Sequence, residues 1–160
     1  MIVVADTSPL NYLVRIGHIS VLPSLYGQVL LPTEVVKELR DPRAPSEVVQ
    51  WASVLPDWVV VQSPTLSLQA ELDGLDAGER AAIELAVETN AKILLINERK
   101  ARRVAESVFG FTVFGTLGIL SAAHKAHLID GEDAFQKLSA LTNFYQNAEL
   151  RLAFLRSLKP

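Results

Sequence analysis

Asp6, Glu38, Glu79 and the Asn97-Glu98 pair are the positions at which this chain could do chemistry. Each lies where an apolar run gives way to a helical pattern, or on a helix beside such a junction. In an open parallel α/β sheet the carboxyl ends of the strands face the ligand crevice, so acids far apart in sequence can meet there. Four carboxylates sharing one crevice repel strongly and need a counter-charge. Mg²⁺ fits that need, because it takes a few carboxylates together with waters and substrate phosphate oxygens, and Mn²⁺ accepts the same oxygen donors. One or two such ions can orient and deprotonate a water, hold a scissile phosphate and neutralise the leaving alkoxide, which is metal-assisted phosphodiester hydrolysis. No cysteine or histidine is required. The chain has no cysteine, and its histidines do not make a zinc site: His124 and His127 are three apart on a helical stretch, and His18 is remote.

Every acid also has a structural reading. Asp6 or Ser8 can cap a helix whose first turn holds Pro9. Asp76-Ala77-Gly78-Glu79 has the spacing of a capping box. Asn97 and Glu98 can cap the helix that follows their strand. Glu38 falls in a last helical turn, where a negative charge opposes the macrodipole, so solvent exposure is its alternative.

Cations adjoin two of the acids. Arg99, Lys100, Arg102 and Arg103 follow Glu98, and Lys37, Arg40 and Arg43 form a looser set around Glu38. Alone, each set reads as solvated helix surface; next to a candidate carboxylate, the first set becomes a group of candidate phosphate contacts. The net charge of −3 argues against a general nucleic-acid coat protein but is compatible with a local basic groove. No aromatic stacking platform is evident, so RNA sequence preference is not legible.

These groups are positioned by alternating strand and helix patterns. Strands are expected at Ile2–Ala5, Gln28–Leu31, Val59–Val61, Lys92–Ile96 and Phe111–Phe114. Helices are expected at Pro9–Ile16, Ile19–Leu25, Thr33–Arg40, Ser46–Ser53 with Ser46 as cap, Leu66–Leu72, Glu79–Thr89, Arg99–Val108, Leu117–Ala126, Glu132–Leu141 and Ala148–Leu158. The alternation predicts a single-domain, three-layer α/β/α fold with a parallel sheet of about five strands. In the final helix Leu150, Ala153, Phe154 and Leu158 share one face, which either completes the core or contacts a partner protein or a second copy.

Composition agrees with a folded domain. The 160 residues are 49% hydrophobic and 21% charged, enough for one substantial core and unlike a disordered chain. The whole of residues 1–160 reads as one domain, without repeat or linker. The absence of cysteine fits a reducing cytoplasm. Met1 lacks a basic flank and the first apolar run stops at Asp6, so no signal peptide and no membrane span are expected.

Asp6-Thr7-Ser8-Pro9-Leu10, the segment Pro32 to Leu39, Leu75-Asp76-Ala77-Gly78-Glu79-Arg80 with its continuation to Ala86, and Leu94-Leu95-Ile96-Asn97-Glu98-Arg99 resemble, in order and spacing, the successive motifs of PIN domains. Phe114-Gly115-Thr116-Leu117-Gly118-Ile119-Leu120 is similar to a segment in a little-characterised prokaryotic branch of VapC-like PIN proteins. The resemblance implies a Mg²⁺- or Mn²⁺-dependent endoribonuclease, often the toxin of a toxin-antitoxin pair. By position, Asp6, Glu38 and Glu79 match the family's first three acids, and Ser8 matches a hydroxyl that helps position metal or water. The fourth position departs from the pattern: where the family commonly has Asp, this chain has Asn97 followed by Glu98. Asn97 can ligate through its carbonyl but brings no charge, so a non-catalytic RNA- or protein-binding module on a decayed PIN scaffold is the alternative.

Other small α/β functions fit less well. A receiver domain needs a phosphoacceptor Asp after its central strand and a Lys after a later one, whereas Val61 is followed by Gln62-Ser63-Pro64 and Phe114 by Gly115. A dinucleotide-binding enzyme needs a glycine-rich loop after the first strand, which is absent.

Overall fold

A computed structural model describes residues 1–160. The sheet contains β1 (Val3–Ala5), β2 (Val29–Leu31), β3 (Val59–Val61), β4 (Ile93–Leu95) and β5 (Thr112–Phe114), in the spatial order β3-β2-β1-β4-β5. All four pairings are parallel. β1 is central and wholly buried, as its unbroken apolar run requires. The chain leaves β1 toward β2 on one side and later returns to β4 on the other, so the strand order reverses between β1 and β4. Open α/β sheets place their ligand crevice at such a reversal.

Side-chain alternation divides the interior into two cores. Val3 and Ala5 of β1 and Leu95 of β4 face one core. It is completed by α1 (Thr7–Arg15), α2 (Val21–Tyr26), α3 (Thr33–Leu39), α4 (Ser46–Ser53), α7 (Thr116–Lys125), α8 (Gly131–Leu141) and α9 (Ala148–Ser157). Val4, Leu94 and Ile96 face the other, which is covered by α5 (Ala77–Thr89) and α6 (Arg99–Ser107). The result is the expected three-layer α/β/α arrangement. No helix is long and apolar enough to cross a membrane.

Two local expectations are corrected. Residues 66–72 do not form a helix; the chain is irregular to Leu68 and then turns through residues 69–74. Leu68, Leu72 and Leu75 have helical spacing because all three pack on the α5 and α6 core. The backbone, however, is held by α5: the Leu68 N–H donates to Glu84 Oε2 at 2.8 Å, and the Thr65 N–H donates to Glu88 Oε1 at 3.1 Å. Within residues 66–72 a single N–H, that of Leu72, reaches the carbonyl four positions back, at 3.0 Å, so no continuous helical ladder forms. Ser46 is the first residue of α4 and not its cap; Pro45 holds that position, and Ser46 Oγ donates to Glu47 at 3.3 Å.

α9 packs against α7 and α8. The Phe154 ring stacks on Phe135 with centroids 5.2 Å apart, and Leu158 closes over Gly131. Phe154 is buried, whereas Ala153 on the same helix is exposed. One side of the helix therefore belongs to the domain's own core.

Candidate active site

The pairing of β1 with β4 sets the site. Ala5 lies opposite Leu95, and the Asp6 N–H donates to the Leu95 carbonyl at 2.9 Å. Asp6 and Asn97 thus leave neighbouring strand ends at the point where the strand order reverses. Asp6 occupies the cap position of α1, yet its side chain makes no capping bond. The residue is 4% exposed, and its Oδ1 is buried without a hydrogen-bond partner. Burial pushes its pKa from 3.8 up to about 7, opposed by the Thr7 amide and reinforced by Asp76, Glu38 and Glu79. The capping explanation for Asp6 is thereby removed.

α3 brings Glu38 to Asp6. The Thr7 hydroxyl donates to Glu38 Oε2 at 2.6 Å, fixing one carboxylate oxygen. The other faces Gly78 in the first turn of α5: a Cβ there would lie 2.5 Å from Glu38 Oε1 and 3.1 Å from Asp6 Oδ1. A side chain here would push the Glu38 carboxylate aside and crowd Asp6. Glu38 is half-buried and not simply solvated.

Glu79 combines its two readings. With Asp76 it forms a complete capping box: the Glu79 N–H donates to Asp76 Oδ1 at 2.8 Å, and the Asp76 N–H donates to Glu79 Oε2 at 3.2 Å. The Glu79 residue is only 7% exposed. Burial pushes its pKa from 4.5 up to about 7; the Asp76 amide opposes the shift, while the charges of Asp76 and Glu98 add to it. The capping-box partner of Asp76 and the candidate site acid are the same residue. Asp76, read from sequence only as a cap, adds to the field on both Asp6 and Glu79.

The fourth position divides its duties. Glu98 caps α6, accepting the Ala101 N–H on Oε2 at 2.9 Å. Asn97 Oδ1 accepts the Thr116 N–H at 2.6 Å and the Thr116 hydroxyl at 2.9 Å. Because a backbone N–H can only donate, the atom facing it must be the amide oxygen, and both of its acceptor positions are taken. Asn97 Nδ2 is left as a buried donor without a partner. Gly115 permits this packing; a Cβ there would lie 3.1 Å from Asn97 Oδ1 and 3.2 Å from Arg102 Nη1. Thr7 and Thr116 are the polar contacts that sequence reasoning overlooked, although both stand inside segments it singled out.

An open cavity of about 1100 Å³ is lined by Ser8, Asn97 and Glu98 and by Arg99, Arg102 and Arg103 of α6. None of these arginines forms an ion pair within the protein. Lys100 points its ammonium at Gly74 in the preceding turn and does not line the cavity. The looser basic set is absorbed locally: Arg40 donates to the Ala52 carbonyl at 2.8 Å, and Arg43 pairs with Asp41 at 2.8 Å.

The donor chemistry fits a hard divalent cation. Asp6 carries a buried oxygen without a partner, while Glu38, Glu79 and Glu98 each have one oxygen engaged in the bonds described. The acids nevertheless form a chain of electrostatic neighbours; no three are grouped tightly enough to hold a single ion as they stand. Loading such a site requires side-chain movement, for which Glu38 and Glu98 have rotatable stems.

A PIN-domain family model matches residues 2–160. No curated protein and no solved structure matches the chain significantly. Strand order, acids at the carboxyl edge and a family match over nearly the whole length agree, and the chain belongs to the PIN-domain family.

Proposed function

We propose that this protein is a Mg²⁺- or Mn²⁺-dependent endoribonuclease whose metal-binding acids are Asp6, Glu38, Glu79 and Glu98. The observation that carries this reading is the meeting of Asp6 and Glu38 over Gly78, with Glu79 on the same turn of α5. When bound, the cation orients the substrate phosphate and makes an attacking water more acidic. The protein's own groups do the rest. Thr7 holds Glu38 toward Asp6, and the capping box holds Glu79 at the start of α5. Ser8, which lines the cavity, would hydrogen-bond water or phosphate, and Arg102 would donate to a phosphate oxygen. With its Oδ1 committed to Thr116, Asn97 serves to hold the start of α7 and not as the carbonyl ligand that its position in the motif implies. Arg99 and Arg103 extend the positive wall along the backbone of an RNA strand, with Lys100 farther off.

The deciding experiment is cleavage of a fluorophore-quencher RNA in Mn²⁺ by wild type and Asp6→Asn. Wild-type cleavage that chelator and the substitution both abolish supports the reading; equal activity of the two proteins overturns it. A role as the toxin of a toxin-antitoxin pair is the finer form. It is supported by the similarity to VapC-like proteins and is tested by induced expression, which should arrest growth for wild type and not for Asp6→Asn.

One observation favours a non-catalytic binding module: Asn97 brings no charge and the acids are not clustered about one point. Calorimetric titration with Mn²⁺ separates the two readings, since a module without saturable metal binding would be a decayed nuclease.

A further inference from the structure

We infer that the loop between α8 and α9 carries a base-stacking subsite, with Tyr145 as its platform, that selects unpaired nucleotides for the groove along α6. This rests on the nuclease reading for its biological setting and on separate residues for its physical argument. The cavity that the arginines line is also lined by aromatic side chains, Tyr12, Phe144 and Tyr145. Tyr145 is 76% exposed, so its ring is open to a base that enters the cavity it lines.

The platform is held in place. Phe144 packs on the main core and meets Tyr12 edge-on, with ring centroids 5.2 Å apart and planes at 85°. On one side of the loop, the Thr142 hydroxyl donates to the Leu138 carbonyl at 2.5 Å and accepts the Phe144 N–H at 3.2 Å. On the other, the Ser139 hydroxyl reaches Gln146 Oε1 at 2.7 Å, and Asn147 Nδ2 donates to Tyr145 Oη at 3.3 Å. The residues flanking Tyr145 are anchored while its ring is left exposed. A pre-positioned ring loses little freedom when a base covers it.

Charge and shape identify the occupant. Arg99, Arg102 and Arg103 face the cavity against only Glu98 and Glu106, so the groove is net positive and suits a phosphate backbone. Cationic and aromatic side chains lining one open groove are the combination that binds single strands, the cations taking phosphates and the rings taking base faces. Paired bases have no free face to offer, so duplex RNA is excluded from the stacking contact.

The test measures binding in EDTA, where cleavage cannot interfere, by fluorescence anisotropy with three labelled probes: a single-stranded RNA of about 12 nucleotides, its duplex, and an abasic ribose-phosphate oligomer of that length. Tyr145→Ala should weaken binding of the single strand roughly tenfold and leave the abasic oligomer unaffected, while Tyr145→Phe should retain wild-type binding. Arg103→Ala should weaken all three probes alike. Equal loss by Tyr145→Ala on the single strand and the abasic oligomer, or no loss on either, overturns the subsite and leaves this face to a protein partner. Base-dependent binding without Mn²⁺-dependent cleavage would sink the nuclease reading alone; cleavage with a neutral Tyr145→Ala would sink the subsite alone.

Discussion

Thr7 Oγ1 and Glu38 Oε2 are joined by a 2.6 Å hydrogen bond that ties the start of α1 to the last turn of α3. The two residues are separated by 31 positions, and their contact orients the Glu38 carboxylate toward Asp6 and Gly78. Thr7→Val keeps the shape and removes the donor. Partners of this kind typically contribute 10–100-fold to metal affinity or activity. The variant should therefore bind Mn²⁺ and cleave RNA roughly 10-fold or more weakly by calorimetry and initial rates, with an unchanged circular dichroism spectrum.

Gly78→Ala separates stability from function. Alanine is favoured over glycine inside a helix by up to about 1 kcal/mol, so α5 should not be weakened. Its methyl would nevertheless strike Glu38 Oε1 and crowd Asp6 Oδ1. A melting temperature in EDTA at or above that of wild type, with a sharp loss of Mn²⁺ affinity, is the expected pair of results. Retained affinity would show that the Gly78 approach is irrelevant to the metal.

The pH dependence follows from two acids whose pKa values burial raises to about 7. From 3.8 for Asp6 and 4.5 for Glu79 up to about 7, the folded protein holds more protons than the unfolded chain, so metal-free stability falls as pH rises through that window. Asp6→Asn removes one of the two charges. Its melting temperature in EDTA should exceed that of wild type above pH 7 and converge with it toward the lower end of the window. Mn²⁺ ligation needs the ionised form, so wild-type binding and cleavage should strengthen as pH climbs through about 7.

Asn97 is a structural acceptor before it is anything else. Asn97→Ala would leave the Thr116 N–H and hydroxyl without their partner, at a cost of about 1–3 kcal/mol in urea denaturation. Asn97→Asp keeps that acceptor and should preserve the fold. If both variants are as stable as wild type, the bond to Thr116 has no structural role.

Asp76→Ala tests the capping box. Losing the acceptor for the Glu79 N–H should lower stability by about 1 kcal/mol, as N-cap removal usually does. Because Asp76 also raises the pKa of Asp6 and Glu79, the metal-dependent pH profile should shift toward lower pH.

Much of this molecule is written locally. Short β-branched runs between helical patterns determine the strands, and their alternation requires a parallel sheet covered on both faces, because apolar runs such as Ile2–Ala5 have no polar side to expose. The motif acids and the cluster at Arg99–Arg103 are likewise legible, since spacing and residue type are sequence properties. Residues 66–72 were misread for a physical reason: leucines at helical spacing report burial, and here only the Leu72 N–H finds the carbonyl four residues back, while the Leu68 N–H goes to Glu84 and the Thr65 N–H before it to Glu88 on α5. Other decisions belong to the fold alone. Local sequence could not choose between Thr7 and Ser8 as the partner of Glu38, or foresee that Asn97 turns its oxygen to Thr116, or that Tyr145 lines the same cavity as Arg103. Those contacts join strand ends, helices and a loop remote in the chain, and their distances depend on how the layers pack. Sequence determined which groups are available; tertiary structure decided which of their atoms are already engaged and which remain free to act.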